Sequence, residues 1–66
     1  MKNSLKAERA KLNLTQQDLA DKVSVSRQTI NSIEAERYVP STVLAMKISQ
    51  VFNTSVNEIF MLEKDD

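Results

Sequence analysis

The sequence predicts an all-α domain of five short helices around one core, and three observations predict it. Apolar residues recur at helical spacing (i, i+3, i+4, i+7), while strand-like alternation is almost absent. Residues that cap helix N-termini stand at short intervals: Asn3 or Ser4, Thr15, Ser26, Ser41 and Ser55. A length of 66 residues leaves room for a single domain, residues 1–66, and for little else.

The elements follow in order. Leu5 to Leu12 forms a first helix with Leu5 and Leu12 on one face, and Asn13 ends it because Asn tolerates a left-handed backbone. Thr15 caps the second helix, with Asp18 in its first turn and Leu19, Ala20 and Val23 facing inward. Ser24-Val25 interrupts the pattern and Ser26 caps the third helix, 27–35, whose buried residues are Ile30 and Ile33. A turn of only about three residues makes these two helices cross steeply, the geometry of a helix-turn-helix over residues 16–34. Tyr38-Val39-Pro40 is a loop, since Pro40 pushes Val39 out of the helical region. Ser41 caps a fourth helix with Leu44, Ala45, Ile48, Val51 and Phe52 as its apolar face, and Asn53 ends it. Ser55 opens a short fifth helix reaching Phe60, followed by Met61, Leu62 and a charged tail.

Composition narrows the chemistry. There is no Cys, no His and no Gly, so disulfides, thiol catalysis and phosphate-cradling glycine loops have no residues to use, and a structural zinc site nearly none. Carboxylates are scattered over helix surfaces, and a domain this small has little space for a substrate cleft. We therefore expect no enzyme, no cofactor and no metal. No apolar run approaches ~20 residues and no signal peptide is visible, which leads us to expect a cytoplasmic protein without a membrane partner. The formal net charge is zero, but it is unevenly spread. Residues 1–57 hold eight Lys and Arg against five acids, a balance of +3, whereas residues 58–66 balance to −3.

The outward positions of the third helix discriminate further. Arg27, Gln28, Asn31 and Ser32, flanked by Thr29, include no acid, and Arg, Gln and Asn can each make paired hydrogen bonds to base edges. The first carboxylates, Glu34 and Glu36, come at the helix's far end. An acid-free polar stripe of this kind suits the major groove of double-stranded DNA better than open water.

With these residues in view, the chain resembles the Cro/phage-repressor (XRE-type) family of helix-turn-helix regulators. The resemblance runs from about Leu5 to Phe60. It rests on Leu14-Thr15-Gln16-Gln17-Asp18-Leu19-Ala20, on Val25-Ser26-Arg27-Gln28-Thr29-Ile30, and on Ile33-Glu34 followed by Tyr38-Val39-Pro40-Ser41. The layout is similar to the short stand-alone repressors of Gram-positive bacteria and phages, such as the cytolysin repressor. The resemblance implies a lambda-repressor-like fold with base contacts from Arg27, Gln28, Asn31 and Ser32. It implies phosphate contacts from Gln16, Ser26, Thr29, Arg37 and Tyr38, and a structural salt bridge between Arg9 and Glu34. The family usually places Gly at the positions of Ser24, Glu36 and Asn53, so local strain is expected at Ser24.

Family members generally bind palindromes as two-fold dimers, which makes a homodimer the expected state. The apolar run Ile59, Phe60, Met61 and Leu62 is the expected dimer contact within 59–66, the rest being an acidic tail. Against this stands the reading in which Ile59 and Phe60 belong to the core and the other two fray. A short strand over Phe60 to Leu62, pairing near Lys2-Asn3, is what the stand-alone subgroup suggests. The expected function is then a transcriptional repressor that occludes a promoter, without a small-molecule effector domain. The alternative is a protein-interaction module on the same fold, for instance an antitoxin or a phage adaptor.

Overall fold

A computed structural model describes all 66 residues. The elements are β1 (Lys2–Asn3), α1 (Leu5–Lys11), α2 (Gln16–Val23), α3 (Arg27–Glu34), α4 (Thr42–Phe52), α5 (Val56–Ile59) and β2 (Phe60–Met61). The two strands form an antiparallel pair, with Lys2 opposite Met61 and Asn3 opposite Phe60. The five helices enclose one apolar core to which all of them contribute, with Leu5, Leu19, Ala20, Ile30, Ile48 and Ile59 fully buried.

Short-range chemistry starts the helices. At α2 the Thr15 hydroxyl accepts from the Asp18 backbone N–H (3.0 Å), and the Asp18 carboxylate accepts from the Thr15 N–H (2.9 Å). This reciprocal box satisfies two donors that would otherwise lack partners. Ser26 and Ser41 each accept from a backbone N–H three residues on, those of Thr29 and Leu44, at 3.2 Å. Ser4 occupies the α1 cap position, but Asn3 supplies the bond, its Oδ1 accepting from the Leu5 N–H at 3.1 Å. Ser55 stands at the start of α5 with an extended backbone and no side-chain cap bond.

All four connections between helices turn through a residue with positive φ, and none is glycine: Asn13 (56°), Ser24 (61°), Glu36 (63°) and Asn53 (49°). Asn adopts this conformation at small cost, whereas Ser and Glu place a Cβ against the following carbonyl.

Three expectations about the ends of elements are corrected. The first helix stops at Lys11, and Leu12, expected within that helix on one face with Leu5, is the cap residue and 51% exposed. Leu14 takes its place against the core. The fifth helix stops at Ile59, because Phe60 turns extended to pair with Asn3. Ile59 and Phe60, expected at a dimer contact, are 0% and 6% exposed. Strand pairing pulls them inward: the Ser4 N–H donates to the Ile59 carbonyl at 2.9 Å, and both side chains join the monomer's core. Only Met61 and Leu62 of that run stay exposed.

Candidate nucleic-acid interface

The site is built on α3. Ile30 and Ile33 bind its inner side to the core, opposite the buried Leu19, Ala20 and Val23 of α2. Ala20 is fully buried where the two helices meet, and its carbonyl accepts from the Val25 N–H at 3.0 Å, closing the turn. With the inner side fixed, the outer side is decided: Arg27 and Gln28 are exposed, while Thr29, Asn31 and Ser32 are half-buried. No acid lies in the first turn of α3.

Ser26, Gln28, Thr29, Ser32, Arg37 and Tyr38 line one shallow depression of about 380 Å³. Five of these six side chains are polar, so the concavity is rich in hydrogen-bonding groups. The Ser26 and Thr29 hydroxyls lie 3.0 Å apart. An adjoining depression contains Thr29, Tyr38 and Lys47, so this α4 lysine extends the basic side of the face. Lys47 was not picked out from the sequence, since only the packing of α4 beside Tyr38 places it here.

Behind this surface the side chains are tied together. Arg9 donates through Nε to Glu34 Oε2 (2.6 Å) and through Nη2 to Glu34 Oε1 (3.0 Å). Its Nη1 donates to the Leu14 carbonyl at 2.8 Å. These two side chains are only 14% and 9% exposed, and hydrogen bonding to the carboxylate raises the guanidinium pKa further above its ordinary value. A paired, hydrogen-bonded charge is the form in which a buried ion pair is tolerable. Gln16 joins the pair by donating Nε2 to Glu34 Oε1 at 3.1 Å. Its Oε1 in turn lies 3.4 Å from both Arg27 Nη1 and Asn31 Nδ2. Arg37 Nη2 donates to Asn31 Oδ1 at 3.3 Å.

The structure thus brings Arg27, Gln28, Asn31, Ser32, Ser26, Thr29, Arg37 and Tyr38 to one side, with Gln16 directly behind Arg27 and Asn31. Met61 and Leu62 lie apart from them, Leu62 lining a separate groove with Met46. The sequence reading missed the hydrogen bonds that Gln16 makes. Residue types alone give no signal for them, because they depend on how α2 crosses α3.

A two-helix unit whose second helix shows a polar outer side free of acids, with basic residues beside it, defines a helix-turn-helix DNA-binding domain. The comparisons specify which. A family model described as Helix-turn-helix matches residues 5–59, and the chain belongs to the XRE-type helix-turn-helix family of DNA-binding transcriptional regulators. It is 53% identical to an uncharacterized HTH-type transcriptional regulator of Methanocaldococcus jannaschii, over the full length of both chains. It is 42% identical to one of Archaeoglobus fulgidus, covering all of this chain and 93% of that one. It is 41% identical to the uncharacterized regulator YgzD of Bacillus subtilis, again over the full length of both.

Proposed function

We propose that the protein is a transcriptional repressor that binds a palindromic operator as a homodimer, with α3 of each copy in the major groove. The observation that carries this reading is the outer side of α3, where Arg27, Gln28, Asn31 and Ser32 stand free of carboxylates. These four would meet base edges, and Gln16, Ser26, Thr29, Arg37 and Tyr38 the phosphates on either side. Phosphate contacts set orientation and most of the affinity; base contacts set the sequence.

Size supports two copies. The longest dimension of the chain is 31 Å, and it carries one recognition helix. Successive major-groove faces on one side of DNA repeat at about 34 Å, so two half-sites call for two copies side by side. The apolar surface for pairing lies around Leu62 (83% exposed), Met46 (54%) and Met61 (42%). Leu62 and Met46 border a groove of about 280 Å³ that also includes Pro40, Ala45 and Val56. Repression follows from occupancy: a dimer seated over a promoter excludes the polymerase.

Selection of bound sequences from random DNA by the purified protein tests the reading. We expect a two-fold symmetric site with half-site centres one helical turn apart. Recovery of no enriched sequence would refute it.

A further inference from the structure

The hydrogen bonds behind α3 run in one direction, and Glu34 sets that direction. An ionised carboxylate only accepts, so Gln16 must turn its amide nitrogen toward Glu34 Oε1 (3.1 Å). The reverse orientation would set the Gln16 carbonyl oxygen against a carboxylate oxygen. The carboxylate cannot turn away, because Arg9 clamps both of its oxygens and is itself anchored on the Leu14 carbonyl. The Gln16 oxygen therefore faces α3, where it receives the Asn31 amide nitrogen and Arg27 Nη1, both at 3.4 Å. Asn31 then shows its oxygen to Arg37 Nη2 at 3.3 Å. At these lengths the outer bonds are weak; they orient amides more than they stabilise the fold.

We propose that Glu34 is a positioning residue for base readout: through Gln16 it fixes which end of the Asn31 amide is donor and which is acceptor at the DNA surface. After its internal bonds, Asn31 keeps one N–H and one oxygen lone pair uncommitted, in a set order. Donor beside acceptor is the complement of the N7 and N6 edge of adenine in the major groove, whereas an inverted amide meets donor with donor. The Arg9–Glu34 pair thus does more than join α1 to α3. It sets the preference of Asn31 for an A·T pair in each half-site. This rests on the reading of α3 as the base-contacting helix.

The test measures binding to the selected operator and to versions with each A·T pair of a half-site replaced by G·C. Glu34→Gln keeps the shape but accepts or donates equally well, so the direction is lost. We expect it to reduce discrimination at one A·T pair, the pair that Asn31→Ala also affects, by about tenfold. Ile48→Val, in the buried core of α4 and outside this hydrogen-bond network, lowers the melting temperature yet leaves discrimination within about twofold of wild type. Gln16→Met leaves the ion pair intact and should lose the same discrimination as Glu34→Gln, which supplies the readout even if Glu34→Gln folds poorly. Full discrimination in Gln16→Met, or an equal loss in Ile48→Val, overturns the proposal. A wild-type protein that prefers no sequence overturns the DNA reading beneath it, a distinct result.

Discussion

At the scale of single residues, backbone conformation and hydrogen-bond direction carry most of the information. Ser24 sits at φ 61° in the turn between α2 and α3, where glycine has no Cβ to crowd the next carbonyl. Ser24→Gly should raise stability by roughly 0.5–1 kcal/mol, read as a shift of the urea midpoint at constant slope, with relief of strain outweighing the added freedom of the unfolded chain. An unchanged or lower midpoint would show that the serine is unstrained there. On the proposed DNA face, Gln28→Ala should cost about 1–3 kcal/mol on the preferred site and relax the sequence requirement locally. Arg37→Ala should instead weaken all sequences alike and reduce the slope of log K against log salt by about 1. Titrating both variants on cognate and scrambled DNA at several salt concentrations separates the two roles. Thr15, Ser26, Ser41, Asn13 and Asn53 were legible in the sequence because a cap or a left-handed Asn involves only its near neighbours. The left-handed turns at Ser24 and Glu36 were visible only through the family resemblance, since neither residue type asks for that backbone. Gln16 was legible as a polar helix start, but its three partners lie on a helix whose placement the local sequence does not specify.

At the scale of elements, the clearest device is the box at the head of α2. Hydrogen bonds from the Thr15 backbone N–H and from its hydroxyl hold the Asp18 carboxyl below its ordinary 3.8. A group whose pKa is depressed by folding binds its proton more tightly in the unfolded chain. Its contribution is therefore present above the unfolded pKa and lost as pH falls through the folded one. We expect Asp18→Asn to be less stable than wild type near neutrality and the gap to close below about pH 4, the unfolded carboxylate range. Urea melts of both proteins from neutral to acid pH check this; a gap independent of pH would mean that the carboxylate's charge plays no part. The existence and order of the helices were readable because each has a cap and an apolar stripe of its own. Their last residues were not, because tertiary contacts decide them. Leu12 satisfies the i+7 rule with Leu5, yet α1 has seven residues and ends one position short of it. Phe60 continues the periodicity of α5, yet a backbone partner at Asn3 draws it into a strand.

At the scale of the whole molecule, a domain of this length buries roughly 60% of the surface its unfolded chain exposes and gains from a second copy. Leu62, exposed by 83%, contributes nothing visible to the monomer's core, so its replacement tests the proposed contact between copies. Leu62→Asp should leave the helical circular dichroism unchanged, shift the protein toward monomer in sedimentation equilibrium, and weaken operator binding by tenfold or more. A variant that binds as wild type would move the dimer contact elsewhere. The run from Ile59 to Leu62 was legible as apolar, but its division into two buried and two exposed residues was not, because it depends on pairing with residues at the other end of the chain. That pairing bears on how the protein is made. Lys2 and Asn3 leave the ribosome long before their partners Phe60 and Met61, while α2 and α3 can pack once residue 34 has emerged. Closing so long a loop comes late, since its entropy must be overcome before the strand bonds form. Vectorial synthesis therefore brings the α2–α3 unit together before the strand pair closes the domain, and the proposed pairing surface at Leu62, next to that strand, follows it.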